Sequence, residues 1–511
     1  MTSQTRETSS SQSFLSAFRR ARLGWSLIIA FGCSPTNGPK PPPLPAQKLQ
    51  PKPIASAAET WRTTAPPPGA DSPWFYPAPN VAKLSNQLSV HVLKRPSGPV
   101  SLSLVIRHGA SDLAPEQSGL ASLAAQMIVE ATKSKNHHVL SETVEALGST
   151  LTGDANRDFV RLSLDTLPSD FESGISLLAE TLLTPAFNRD DFRRLQQQHL
   201  DDLVSERQNP SRLASLVGMR ALLGDRLGAP VGGRLASVRK LTVDDVRLWH
   251  RRFVYPTSVA LVVVGPVEPT AVQAAAERHL GHLRGNAPQK IPTLTTPAPS
   301  ATEIVLVDRP GSVQSAIFVA QRYPKRSEQG YAARQVLDNV IGGQFTSRIN
   351  RNLREEHAYT YGARSAAIAT RDFGLLTITT SVETDVTVAS IQEIIKELRD
   401  LQGTNARRPS SPEELTRART GILQSLGSHL EDSHRLLLDQ EQIFVHQLSD
   451  NYYLDYINEV RNVDAAALAS QAERLTPDQL TIVIIGDATR LKSQLDKQAV
   501  KPRFIPLEWL D

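Results

Sequence analysis

KNHHVLSE sets His137 beside His138, and HLEDSH sets His429 five residues before His434. Two imidazoles share a metal only when they face one way. Adjacent side chains point apart on any regular element, and a five-residue step turns about 140° around a helix. The first pair therefore reads as a solvated turn and the second as core or surface. His199 and Asp202, at i and i+3 in QQQHLDDLVSE, could face one way on a helix, but a relocated metal site there would need further ligands. Gly342-Gly343 follows a helical run with no GK[ST] after it, which excludes a phosphate loop. There is no G-x-S-x-G elbow, and the single cysteine, Cys33, excludes an intramolecular disulfide and a multi-cysteine zinc site.

These side chains depend on the elements that carry them. In GLASLAAQMIVEAT (119–132), Leu120, Leu123, Ala124, Met127, Ile128 and Ala131 recur at helical spacing and form a core-facing stripe. The opposite stripe of Ser122, Ala125, Gln126 and Val129 is neither charged like a solvated face nor apolar like a core. Strands are expected in KLSNQLSVHVLKRP, VSLSLVIRHG, STLTGDANRDFVRLSLDTL and SVALVVVGPVEP, and helices near 118–134, 139–147, 168–184, 188–206, 210–223 and 242–253. Beyond RGNAPQKIPTLTTPAPSAT the order recurs. EIVLVDRP and SAIFVAQRYP read as strands, EQGYAARQVLDNVIGG as a helix, and TYGARSAAIAT with GLLTITTSVET as a strand pair. A helical tract near 384–474 leads to LTIVIIGDATR, which matches SVALVVVGPVEP roughly 220 residues earlier. So long a period marks a duplicated domain. The fold class is α+β, with two homologous halves forming a bilobal clamshell.

The chain begins differently. Arg19, Arg20 and Arg22 precede LGWSLIIAFG, an apolar run closed by Cys33. A basic region before so short a run reads as a secretory signal, and a cysteine closing it resembles a bacterial lipoprotein signal, whose thiol is acylated. That implies a membrane-anchored lipoprotein of the bacterial cell envelope, facing the periplasm; the alternative is an ordinary signal peptide or uncleaved anchor with an incidental cysteine. Of the 35 prolines, 14 lie between Pro35 and Pro79, which suits an extended tether and no packed core. The limits are 1–33 for the leader, 34–80 for the tether, 81–287 for the first half, 288–301 for a linker and 302–511 for the second half. The formal charge of +4 contains a net +3 from Arg6, Glu7, Arg19, Arg20 and Arg22, leaving +1 with both signs interspersed. No basic stripe remains to bind nucleic acid.

From about Val81 onward the chain resembles the M16 metallopeptidases (pitrilysin, insulinase and mitochondrial processing peptidase), in particular their short bacterial members. IGGQFTSRINRNLREEHAYTYGARS (341–365) is close to that family's second-half pattern GGxFxSRLxxxLREExGYTYGA. His357 and Ala358 replace the commoner Lys and Gly. The family's zinc site is H-x-x-E-H on the first helix of the first half. Two His at i and i+4 bind the metal, the Glu activates its water, and a distal Glu completes the shell. By that resemblance Ser122 takes the first His position, Ala125 the Glu, Gln126 the second His and Asp202 the distal Glu. This degenerate set implies no zinc and no general base in this chain.

The resemblance also implies that Arg354 and Tyr361 bind substrate backbone and the developing oxyanion from across the cleft. The expected function follows. This is a non-catalytic subunit that pairs as a heterodimer with a zinc-bearing homologue and acts in trans on a peptide or unfolded protein. The alternatives are a peptide-binding or scaffold lipoprotein without a peptidase role, and a metallopeptidase with a relocated metal site.

Overall fold

Two β-branched runs become the hearts of two sheets. VALVVVG and TIVIIG form strands buried along their whole length, as strands covered on both faces must be. The computed structural model describes residues 75–288, 298–403, 406–497, 501–506 and 509. The leader, Cys33 and nearly all of the tether lie outside them, as does most of the linker.

The first sheet comprises β1 (Asn80–Lys83), β2 (Ser89–Lys94), β3 (Val100–Ile106), β4 (Thr152–Ala155), β5 (Val160–Thr166) and β6 (Val259–Gly265), in the order β1-β2-β6-β3-β5-β4. The second comprises β7 (Glu303–Asp308), β8 (Gln314–Tyr323), β9 (Thr360–Ala369), β10 (Gly374–Glu383), β11 (Thr481–Gly486) and β12 (Arg503–Phe504), in the order β12-β7-β11-β8-β10-β9. Inside the outermost strands β1 and β12 the two sheets agree in order and direction. The pair β2 and β6 is parallel, as is β7 and β11, and the neighbours beyond are antiparallel. The repeat read from the sequence is thus a repeat of topology.

The helices are α1 (Leu120–Glu130), α2 (His137–Ala146), α3 (Phe171–Leu183), α4 (Arg189–Glu206), α5 (Pro210–Leu227), α6 (Leu235–Lys240), α7 (Val243–Phe253) and α8 (Pro269–Leu280) in the first half. The second half has α9 (Tyr331–Asp338), α10 (Thr387–Leu401), α11 (Pro412–His429), α12 (Ser433–His446), α13 (Tyr452–Asn462), α14 (Ala465–Ala472) and α15 (Ala488–Leu495). Along β6, alternate residues point to opposite faces. Leu261 and Val263 join the core under α1, α3, α7 and α8, while Ala260, Val262 and Val264 meet a different cluster containing Leu436, Leu437 and Phe444 of α12. In β11, Ile482 and Ile484 face the second half's own helices. Val483 and Ile485 face Leu213, Leu216 and Val217 of α5.

Each half thus lends a helix to the outer face of the other's sheet, α5 to the second and α12 to the first. Their apolar stripes contribute on the order of 10 kcal/mol of gross burial apiece. Gly218 makes the first exchange possible, because a Cβ there would fall well under 3.0 Å from two ring carbons of Phe318 in β8. The exchange is why the described residues of both halves form one compact unit.

Polar groups fasten the same seam. Arg371, in the β9–β10 turn, donates through Nη2 to Asp112 Oδ1 at 2.8 Å and through its backbone N–H to Asp158 Oδ2 at 3.1 Å. Asp112 also meets His108 Nδ1 at 3.2 Å, and the other ring nitrogen of His108 lies 3.0 Å from the Tyr255 hydroxyl. Although burial opposes ionisation of Asp112, the His108 hydrogen bond and the Arg371 charge hold its carboxyl below the ordinary range. Burial raises Asp158 to about 6.

Three local expectations are corrected. Residues 75–80, assigned to the tether, belong to the folded unit. Tyr76 is buried, its ring stacked 4.9 Å from Tyr453 and its hydroxyl donating to Asp439 Oδ2 at 2.7 Å. His137 and His138 do not lie in a turn but begin α2, where Asn136 caps the helix by accepting from Val139 N–H. His137 contacts Glu130 at 2.9 Å and His138 contacts Glu142 at 3.2 Å. His429 and His434 share no helix, since α11 ends at one and α12 carries the other. His429 instead meets Asp439 at 2.9 Å.

Candidate functional site

The first candidate face is α1. It starts at Gly119, whose left-handed backbone (φ 95°) packs against the 230–233 loop; a Cβ there would lie 2.7 Å from the Gly232 carbonyl. Ser122 donates to the Val231 carbonyl at 3.1 Å, and Ser118 to that of Pro230 at 3.2 Å. From α4, buried His199 places Nε2 2.5 Å from the Gly232 carbonyl. Three side chains thus hold three successive carbonyls. The sequence paired His199 with Asp202 as a possible shared face, but the structure separates their roles, with His199 fixing a loop and Asp202 exposed on the helix.

Ala125 is fully buried beneath Gly153 of β4, which explains why half of the odd stripe lacks polarity. Gln126 is half-buried. These groups do not fit zinc. The Ser122 hydroxyl is committed as a donor, Gln126 offers a neutral amide, and Ala125 has no carboxylate where a base would stand. Among the described residues no group of three or more His, Cys, Asp or Glu is placed to hold a metal ion.

The second candidate face is built on unusual backbone. After α9 the chain winds a π turn at Asn339–Gly343, and after the helical turn Arg348–Asn350 it winds another at Arg351–Glu356. Such wide turns commonly mark functional sites because they re-aim side chains. Arg348 anchors the segment by a double contact to Glu414 (2.8 and 2.6 Å) and bonds to the carbonyls of Arg408 and Pro409. Asn352 is buried and donates to both Glu393 and Glu397 at 2.9 Å. Asn350 spans two loops, donating to the Phe345 carbonyl at 2.5 Å and accepting from Ala363 N–H at 3.0 Å.

On this frame Tyr361 is 93% exposed and Phe345 63% exposed. The Arg354 guanidinium lies 4.3 Å over the Phe345 ring, a cation–π contact that fixes its direction. Glu356 pairs with Arg351 at 3.3 Å, and among the described residues Arg354 has no ion pair of its own. Arg354 is therefore held half-buried against an aromatic ring, while the Tyr361 hydroxyl stands out in solvent. Ala358, where the family pattern has Gly, adopts a left-handed backbone (φ 56°).

Sequence reasoning named Arg354 and Tyr361 but missed Phe345, Arg348, Asn350 and Asn352. The signal lay within the quoted motif, since polar residues in an otherwise buried segment need partners.

Residues 90–232 match the family described as Insulinase (Peptidase family M16), and residues 240–422 match the Peptidase M16 inactive domain. The chain belongs to the M16 peptidase family. This M16 chain is 23% identical over 283 residues to an "uncharacterized zinc protease" of Mycobacterium leprae, a match covering 54% of this chain and 63% of that one. It therefore spans just under two thirds of that relative's length. It is 23% identical over 442 residues to mitochondrial-processing peptidase subunit alpha-2 of Dictyostelium discoideum, covering 80% and 91% of the two chains. In fold it resembles the crystal structure of a peptidase M16 inactive domain from Pseudomonas fluorescens, with a TM-score of 0.74, 22% identity, and 80% and 98% of the chains covered. Among the described residues no helix is long and apolar enough to cross a membrane.

Proposed function

We propose that this chain is a non-catalytic M16 subunit that pairs with a zinc-bearing homologue and grips the peptide for it. One contrast carries the reading. The first half offers Ser122, Ala125 and Gln126 where a metal and base would be needed, while the second keeps Arg354, half-buried against Phe345, and Tyr361, exposed to solvent. A guanidinium and a phenol are suited to the task because both direct N–H or O–H donors at a carbonyl oxygen on which charge grows. The partner would supply the water-activating groups. That a relative is named as one subunit of a processing peptidase supports a division of labour. The leader ending at Cys33 supports a lipid-anchored protein of the bacterial envelope.

Mixing the purified chain with its zinc-bearing homologue should produce peptidase activity that neither shows alone, and Arg354→Ala should abolish the gain. If wild-type mixtures show none, the reading falls and a scaffold role replaces it.

A further inference from the structure

We infer that α11 and the loop bearing Phe345 form a groove for an extended, uncharged stretch of peptide with an apolar side chain seated on the Phe345 ring. The inference rests on the reading that the second half grips peptides, and it names the segment the grip selects. A cavity of about 600 Å³ lies between α11 and Gln344, lined also by Glu413, Thr416, Arg417, Thr420 and Gly421. Thr416 and Thr420, together with Gln424, stand at i, i+4 and i+8 and are all exposed. Among the described residues none of these three side chains has a hydrogen-bond partner.

The spacing selects the occupant. Four residues of helix rise about 6 Å, and the backbone groups on one edge of an extended peptide recur every two residues, about 6.6–6.8 Å. Over three positions the two rows stay within roughly 1.5 Å of register. Threonine hydroxyls and a glutamine amide both donate and accept, as alternating peptide N–H and C=O groups require. Glu413 and Arg417 offset each other, so the groove offers no net charge to a phosphate or an acidic tail.

The groove's wall is fixed. Gln344 lies across α11 at Gly421, where any Cβ would strike its amide, and Arg417 Nη1 donates to the Thr346 carbonyl at 3.3 Å. Between Gln344 and Thr346 the Phe345 ring projects, with Arg354 stacked on it. Phe345 lies just outside the cavity, next in the chain to Gln344 of its wall. A peptide that continued from the ridge past Gln344 would reach the ring beside Arg354, and Asn350 would hold that point in register with the Tyr361 strand.

The test uses the full chain alone, titrated against a fluorescein-labelled uncharged nonapeptide with one central phenylalanine and against its alanine counterpart, read by anisotropy. The wild type should bind the phenylalanine peptide about tenfold more tightly than the alanine one. Phe345→Ala should erase that preference, and Phe345→Tyr should restore it. The combined variant Thr416→Val, Thr420→Val, Gln424→Leu changes only exposed side chains and should weaken both peptides about tenfold. No measurable binding by the wild type, or equal binding by the ridge variant, overturns the groove. Peptide binding with no gain of activity on mixing would instead overturn the subunit reading and leave the groove standing.

Discussion

Gly218→Ala tests whether the halves are interlocked as described. On an ordinary helix the change stabilises by about 1 kcal/mol, because glycine is the poorer helix former. Here the new methyl would lie 3.3 Å from Cγ of Phe318 and closer still to Cδ1 and Cε1. Carbon contacts are most favourable at about 3.5–4.0 Å, so the ring would have to retreat by about 1 Å. Phe318 is buried at 3% exposure among Val305, Val483 and Ile485, with little room to move. Overpacking of this kind costs typically 1–3 kcal/mol. Since it must also outweigh the helix gain, the net loss should be about 1 kcal/mol.

Urea unfolding followed by circular dichroism would show a lower midpoint at unchanged slope. Phe318→Leu, destabilising alone, should cost markedly less when combined with Gly218→Ala, because the smaller side chain relieves the clash. If Gly218→Ala by itself raises stability by the ordinary helix increment, α5 does not sit on the second sheet and the interlock is wrong.

Two further outcomes follow. Burial lifts the Asp158 carboxyl from 3.8 to about 6, so its contribution to stability is fully present below pH 3.8 and is lost as pH rises through 6. With about 1.4 kcal/mol per pH unit, the ionised group costs on the order of 3 kcal/mol at pH 7. Asp158→Asn should match the wild type near pH 4 and exceed it progressively up to pH 7; a difference that stays flat across that range would refute the assignment. Ala358→Gly should stabilise by about 0.5–1 kcal/mol, since relief of a left-handed alanine outweighs glycine's added chain entropy. A lower thermal midpoint for that variant would count against the backbone described at φ 56°.

What the sequence determined by itself was everything carried by local periodicity and by one long motif. The β-branched runs at Val259–Gly265 and Thr481–Gly486 announced buried strands, and their similar settings announced the duplication. The stripe of α1 and its weakened opposite face were legible because side chains three and four residues apart share a helix surface. What tertiary structure decided was each thing set by distant partners. Nothing in PSRLASLVGMRALL says that α5 covers the other half's sheet; that depends on the fit of Gly218 to Phe318, one hundred residues away. Spacing alone said only that His199 could share a helix face with Asp202; its role in fixing a loop came from the Gly232 carbonyl beside it. The π turns that aim Arg354, and the Asn350 amide joining its loop to the Tyr361 strand, likewise arise from packing between segments. A periodic pattern tells which face of an element is apolar, but the surface that face meets is chosen by shape and by unpaired polar groups elsewhere in the chain.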